Sequence, residues 1–333
     1  MRAVVLVGGF GTRLRPLTLS TPKQMLPIVN RPMIEHVLGH LAAHGIDDAV
    51  LSMGYRPDAF SAAYPDGVCA GVRLHYAVEP EPLDTAGAIR FAALDAGIEE
   101  RFMVVNGDVL TDLDLTDLLA FHEARAAEAT IALHRVEDPS AFGVVTTDVV
   151  GRVEAFVEKP PRDEAPTDLI NAGTYVLEPS MIDRIPAGRK VSVERETFPA
   201  AVVEGGVYAM DGHTYWIDTG TPQQYLSAQL DLIDGRRGSP IEPLSEDARI
   251  DADAAVSHAV IGPGVVIERG SVVRHAVVLA GAVVAAGASI TGSLIGPGAT
   301  VGADAVLEAM CVLGDDAVVE AGEHLSGVRR PCA

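Results

Sequence analysis

Residues 256–323 stack as four lines: VSHAVIGPGVVIERGSV (256–272), VRHAVVLAGAVVAAGAS (273–289), ITGSLIGPGATVGADAV (290–306) and LEAMCVLGDDAVVEAGE (307–323), a period of 17 residues. Val260, Val277, Leu294 and Cys311 share a column, as do Ile261, Val278, Ile295 and Val312, and Ile267, Val284, Val301 and Val318. Gly264, Gly281 and Gly298 form another column, which Asp315 closes. Small apolar residues recurring about every six positions, with glycines between them, predict short strands joined by tight corners and stacked coil on coil as a parallel β-helix.

The pattern resembles the hexapeptide-repeat family, which implies a left-handed winding, an exception to the usual right-handed crossover. A 17-residue period implies one shortened corner per turn. His258 and His275, one period apart, are expected to stack on adjacent coils. Some hexapeptide proteins use such a histidine for acyl transfer; with about four coils and no sign of a second site, a structural or subunit-packing role is the reading preferred here. Exposed coil ends need a cap, a loop or another subunit, so a homo-oligomer is expected.

Upstream, GRRGSPIEPLSED (235–247) is rich in Gly, Pro and charge and reads as a linker. The expected organisation is a first domain over 1–235, a linker over 236–250, the β-helix over 251–327 and a tail over 328–333. In the first part, VVLV (4–7), DAVLSMG (48–54), VRLHYAV (72–78) and FMVVNGD (102–108) read as strands. PMIEHVLGHLAAHG places Ile34, Val37, Leu38 and Leu41 on one helical face, and DTAGAIRFAALDAG is a second helical segment. This alternation predicts an α/β, Rossmann-like fold with a mixed, mostly parallel sheet and helices on both faces, whose ligands sit beyond the carboxyl ends of the strands. His36, His40 and His44 lie at helical spacing and read as a helix flank with no ligand role.

The first strand runs into GGFGTRLRPLT (8–18). Walker A requires a Gly-Lys pair that is absent, and G-x-G-x-x-G fails because its third glycine position, counted from Gly9, is Leu14. What remains is a backbone that admits phosphate closely at Gly8, Gly9 and Gly11, with the planar fork of Arg13 and the mobile charge of Lys23. That combination suits a polyphosphate undergoing cleavage. Arg15 and Arg31 read as solvated surface.

The string GGFGTRLRPLTLSTPK resembles the signature of the sugar nucleotidylyltransferases, which join a sugar 1-phosphate to a nucleoside triphosphate and release pyrophosphate. EPEPLDTAGA (79–88), NGD (106–108), AFGVV (141–145), VEKP (157–160), NAGTYVLEPSMIDRIP (171–186), SVERETFP (192–199) and WIDTGTPQQYL (216–226) extend the resemblance over about 220 residues. The wording is most similar to the mannose-1-phosphate guanylyltransferases of that family.

The resemblance implies in-line attack of the sugar phosphate on the α-phosphorus, with Mg²⁺ as cofactor on Asp108 and Asp218. It implies nucleotide contacts at Leu6, Gly8, Gly9, Gly11, Thr12, Arg13, Lys23, Glu79, Thr85 and Ala86, with Arg13 facing the departing pyrophosphate. Lys159 carries over as the contact to the sugar phosphate, and Gly143, Glu158 and Asn171 as contacts to sugar hydroxyls. Arg13, Lys23, Asp108, Lys159 and Asp218 form the catalytic set. Glu79 stands where thymidylyl and uridylyl enzymes often carry glutamine, and a carboxylate accepts two hydrogen bonds from the N1 and N2 hydrogens of guanine, which favours GTP. The sequence departs from the family at Asp84, where glycine is common, and at Gln24, where proline is frequent. Alternatives with the same mechanism use glucose 1-phosphate with dTTP or UTP, or a heptose 1-phosphate with GTP; a regulatory nucleotide-sugar-binding subunit is the non-enzymatic alternative.

Composition agrees with this class. The 333 residues carry 46 acidic against 25 basic side chains, a net charge of −21, which disfavours broad contact with nucleic acid or anionic membrane. Cys69, Cys311 and Cys332 show neither disulfide nor zinc spacing, no apolar run approaches a membrane span, and MRAVVLVGG reads as a strand with no cleavage site after it. A cytoplasmic enzyme acting on small molecules is the expectation.

Overall fold

The computed structural model describes residues 1–54 and 56–331; Cys332 lies outside them. By contact density the chain forms two compact units, neither continuous in sequence: 1–9 with 34–216, and 10–33 with 217–333.

The first unit is built on a ten-stranded mixed sheet. At its centre Arg2–Leu6 pairs in parallel with Asp48–Met53 on one side and Phe102–Asn106 on the other, and Asp48–Met53 pairs in parallel with Val72–Val78. Central strands covered on both faces need apolar residues at successive positions, and Val4, Val5, Val50, Leu51, Val104 and Phe102 are all buried. Leu169–Leu177 joins antiparallel to Phe102–Asn106 and extends the sheet through Ala129–Arg135 and Gly143–Thr147. The helices Asp84–Asp95 and Phe198–Glu204 pack Ile89 and Phe198 into the core that Val4, Val104 and Tyr175 contribute from the sheet.

His40 and His44 flank the helix Met33–Ala43 as expected. His40 Nε2 is 2.9 Å from the Leu113 carbonyl, and His44 Nδ1 is 3.1 Å from Thr116 Oγ1.

In the second unit, three parallel five-stranded sheets run along the C-terminal part, the arrangement typical of a left-handed β-helix. Val260 pairs with Val277 and Val277 with Leu294, the 17-residue step. The next step differs: Leu294 pairs with Val312, Ile295 with Leu313 and Val301 with Val319, so the fourth line of the repeat is displaced by one residue. The extra residue sits at a corner, where Ala309 and Met310 both have positive φ (54° and 64°) and occupy the place that Gly292 fills alone one coil earlier. Accordingly Asp316, and not Asp315, continues the column of Gly298. The ladder starts at Arg249–Ile250 and closes with Arg329–Arg330, giving each face five rungs, one more than the repeats reveal. His258 and His275 do meet on adjacent coils, their rings edge to face with centroids 4.7 Å apart, and His258 Nε2 lies 3.0 Å from Asp234 Oδ1 just after the helix Pro222–Ile233.

Among the described residues no helix is long and apolar enough to cross a membrane. Cys69 and Cys311 are buried free thiols, and burial raises the Cys69 thiol to about 11, where it is an inert packing group.

Candidate active site

Within the second unit, Arg13, Lys23 and Asp218 come together. Gly11, at φ 60°, turns the chain into the short 3₁₀ segment Thr12–Leu14. A Cβ there would lie 3.0 Å from Thr18 Cγ2 and 3.2 Å from Lys23 Cβ, and Thr18 Oγ1 donates to the Gly11 carbonyl at 2.7 Å. Glycine is therefore required both by dihedral angle and by space. A second 3₁₀ segment, Lys23–Met25, buries the Lys23 side chain to 6 % exposure with its Nζ 3.5 Å from Asp218 Oδ1. Arg13 is 63 % exposed and brings Nη2 to 3.9 Å from Asp218 Oδ2, and its guanidinium fills the space a Cβ on Gly220 would take. One carboxylate thus stands between a sheltered point charge and an exposed planar fork, which can bind successive phosphates of a polyphosphate.

Arg15 corrects a reading made from sequence. It is half-buried, and its Nε is enclosed without a hydrogen-bond partner among the described residues. Gln24 is buried and leaves its Oε1 in the same condition. Arg31 is exposed.

Within the first unit, the parallel register Leu6↔Asn106 sets the residues just beyond both strands at the same end of the sheet. Gly107 N–H donates to the Leu6 carbonyl at 3.0 Å, and a Cβ on Gly107 would lie 2.6 Å from Val7 Cγ1, so the turn that carries half-buried Asp108 lies against the start of the glycine loop. Gly8 is hemmed by Gly54 N at 3.3 Å and Glu79 Oε1 at 3.4 Å from a built Cβ, whereas a Cβ on Gly9 meets nothing within 4 Å. Glu79 accepts hydrogen bonds from Ser52 Oγ at 3.2 Å and Leu83 N at 2.9 Å. Burial raises its carboxyl above the usual range, and those two hydrogen bonds oppose the rise.

Asp84, the departure from glycine, has φ 61°, a left-handed conformation that explains why glycine suits this position. Its Oδ1 accepts from Thr85 N at 2.8 Å. The groups of Thr85 and Ala86 are engaged within the protein. Thr85 Oγ1 donates to Glu194 Oε2 and accepts from Val193 N, both at 2.8 Å, and Ala86 N donates to the Val191 carbonyl at 2.9 Å.

Gly143, Glu158 and Asn171 occupy one end of three neighbouring strands. Gly143 pairs with Glu158, and Val144 with Ile170, so Gly143 falls opposite Asn171. A Cβ on Gly143 would meet Phe156 at 2.7 Å and Glu158 Oε2 at 3.0 Å. Lys159 has φ 50°, its amide donates to the Phe142 carbonyl, and its Nζ lies 3.0 Å from Glu158 Oε1. Asn171 donates from Nδ2 to Tyr175 Oη at 2.8 Å and accepts from Gly173 N at 3.0 Å.

Three supporting residues escaped sequence reasoning. Asn106 packs on Gly173, where a Cβ would lie 2.8 Å from Asn106 Cγ, which ties NGD to NAGTY. Trp216 donates to the Ala172 carbonyl at 2.9 Å and stacks on His134. Glu194 accepts from both Thr85 and Ser192. All three lie inside motifs of the resemblance, which was the one signal available for them.

For a divalent cation, the relevant observation is the donor chemistry. Asp218 and Asp108 offer carboxylate oxygens, the donors that Mg²⁺ prefers, and among the described residues no group of three or more His, Cys, Asp or Glu forms a protein cage. Each carboxylate by itself suits a cation that takes the rest of its shell from waters and phosphate oxygens.

Comparison with known proteins shows the family. Residues 2–235 match the family model described as nucleotidyl transferase, and residues 242–329 match the GMPPB C-terminal domain. The chain is 46 % identical over 272 residues to a mannose-1-phosphate guanylyltransferase of Mycobacterium tuberculosis, covering 80 % of this chain and 75 % of the relative. It is 39 % identical over 281 residues to mannose-1-phosphate guanylyltransferase 1 of Arabidopsis thaliana, covering 81 % and 77 %. The crystal structure of HddC from Yersinia pseudotuberculosis superposes with a TM-score of 0.60 at 29 % identity, over 68 % of this chain and 97 % of that one. A glycine loop without a Walker lysine, a lysine and an arginine set on one carboxylate, and a β-helix built on a 17-residue step are thus the parts of a chain that belongs to the nucleotidyl transferase family.

Proposed function

We propose that this protein transfers a guanylyl group from GTP to mannose 1-phosphate, releasing pyrophosphate and forming GDP-mannose. The observation that carries the reading is the placement of Lys23 and Arg13 on Asp218, at 3.5 and 3.9 Å. Both substrates are anions, and the net charge of −21 repels them, so binding rests on a few placed cations.

In this reading Lys23 and Arg13 bind the triphosphate, Arg13 beside the pyrophosphate as it departs. Lys159 binds the sugar phosphate, and the oxygen of that phosphate attacks the α-phosphorus in line as the bond to pyrophosphate breaks. Glu158, Asn171 and the Gly143 backbone orient the sugar hydroxyls. Alignment and charge neutralisation do most of the work, because the attacking phosphate is already ionised and no side chain needs to remove a proton. Asp108 and Asp218 are the residues that would hold Mg²⁺, which when bound neutralises phosphate charge. Glu79 selects the base. An ionised carboxylate offers about four acceptor sites, so two remain for guanine beyond those that Ser52 and Leu83 occupy. The mannose 1-phosphate guanylyltransferases among the relatives support both substrate choices. Cytoplasmic residence and a homo-oligomer belong to the same proposal.

The deciding experiment measures pyrophosphate release across four nucleoside triphosphates and several sugar 1-phosphates in Mg²⁺. The pair GTP and mannose 1-phosphate is expected to turn over fastest, and no turnover of that pair would overturn the reading.

A further inference from the structure

The last coil of the β-helix reaches the residues that follow the glycine loop, all within the second unit. Arg329 lies in the closing strand Arg329–Arg330, paired in parallel with Val312–Leu313. Its Nη1 donates to the carbonyl of Arg13 at 3.0 Å and to that of Arg15 at 3.3 Å. Asp315, which follows Leu313 one rung earlier, accepts from Ser20 Oγ. Between these contacts a Cβ on Gly314 would lie 2.8 Å from Pro16 Cβ, so the coil backbone passes directly against the proline. The last two rungs of the helix therefore hold the segment 13–20 at both ends and in its middle.

The grip bears on Arg13. Its side chain is largely exposed, and a long exposed arginine gives up rotamer freedom when it is ordered on a ligand. Holding the Arg13 carbonyl fixes its backbone, and with it the line along which the guanidinium leaves the chain. The donor is itself a guanidinium, and charge-assisted hydrogen bonds are the stronger kind.

We propose that Arg329 is a positioning residue for nucleotidyl transfer: from the β-helix it sets the direction in which Arg13 meets the triphosphate. The inference rests on the function proposed above and makes the last coil a working part of the nucleotide site.

The test uses the full-length chain with Arg329→Ala, Arg329→Lys and Asp315→Ala. Steady-state rates are measured on GTP and mannose 1-phosphate, and melting temperatures are recorded for each variant. Displacing an aligned group by about 1 Å can cost about a hundredfold in rate, and a smaller displacement costs less. Arg329→Ala is expected to lower kcat/KM for GTP by about tenfold, leave KM for mannose 1-phosphate within about twofold, and shift Tm by less than about 2 °C. Arg329→Lys, which keeps a cationic donor, recovers part of the loss. Asp315→Ala gives a smaller effect in the same direction and carries the test, with the lysine variant, should Arg329→Ala fail to fold. Parameters for GTP unchanged within twofold in the folded variants overturn the proposal, as do a lowered Tm and a parallel rise of both KM values, which describe a structural role. A parent protein that turns over no substrate pair defeats the functional reading and this inference together, whereas an active parent with indifferent variants defeats this inference alone.

Discussion

Lys23 Nζ stands 3.5 Å from Asp218 Oδ1, a contact between residues 195 positions apart in the chain. It sets a buried ammonium beside a carboxylate whose side chain is 18 % exposed, the opposite charge that a buried ammonium needs as a partner. The pair joins a lysine ten residues past Arg13 to a carboxylate in the other segment of the same unit, and Lys23 Cβ also packs against Gly11.

If Asp218 and Asp108 hold the cation, Asp218→Asn and Asp108→Asn each lower turnover by about a hundredfold or more, the usual scale for removing a preorganised charge from such a site. Circular dichroism should show both variants folded. An undiminished rate of pyrophosphate release in either variant means the metal assignment is wrong.

Glu79→Gln exchanges a carboxylate for an amide with one acceptor oxygen. Use of GTP, read as kcat/KM, is expected to fall by about tenfold relative to UTP or dTTP, since a hydrogen bond to a charged group is worth roughly 1.5–3 kcal/mol. An unaltered ranking of the triphosphates removes Glu79 from base selection.

Gly11→Ala forces a side chain onto φ 60° and within 3.0 Å of Thr18. The left-handed conformation alone costs roughly 1–2 kcal/mol. A Tm lower by a few degrees is expected, together with weakened GTP binding because Lys23 Cβ is the next atom in the way.

Asp84 separates conformation from contact. Asp84→Ala is expected to destabilise by about 1–2 kcal/mol, since alanine is poorer at φ 61° and lacks the acceptor for Thr85 N. Asp84→Gly keeps the conformation and loses the acceptor, so it should fall nearer the parent. Chemical denaturation that ranks glycine below alanine would contradict the strain argument.

His122 supplies a pH dependence of stability. It is fully buried, bonded to Thr130 Oγ1 at 2.8 Å and Glu178 Oε1 at 3.2 Å, and burial holds its pKa below the ordinary imidazole value. The unfolded chain takes up a proton near pH ~6.5 while the folded chain still resists it. The contribution of His122 is therefore complete above that pH and declines as pH falls toward the lower folded value. Between pH 7 and 5 the Tm of the parent should drop more steeply than that of His122→Gln; parallel curves would show that other groups set the acid limit.

The amino-acid sequence by itself determined both architectures and the identity of the loop. Valine runs such as Val4–Val5, the apolar columns of the repeat and the glycines of GGFG are local signals, because period and chain conformation are encoded within a few residues of each other. The sequence did not reveal the added residue at the Ala309–Met310 corner, since a one-residue insertion keeps every column apolar and only the strand register tells Val312 from Cys311. Nor did it reveal the rung Arg249–Ile250, which lacks the glycine pattern of its neighbours. The tertiary structure alone decided that residues 10–33 belong with 217–333, that Lys23 meets Asp218, that Asn106 fits over Gly173, and that Arg329 holds the backbone of Arg13. Each of these joins residues from 67 to 316 positions apart, and contacts of that span leave no periodic trace in the chain: they arise when packed elements bring complementary charges and shapes together.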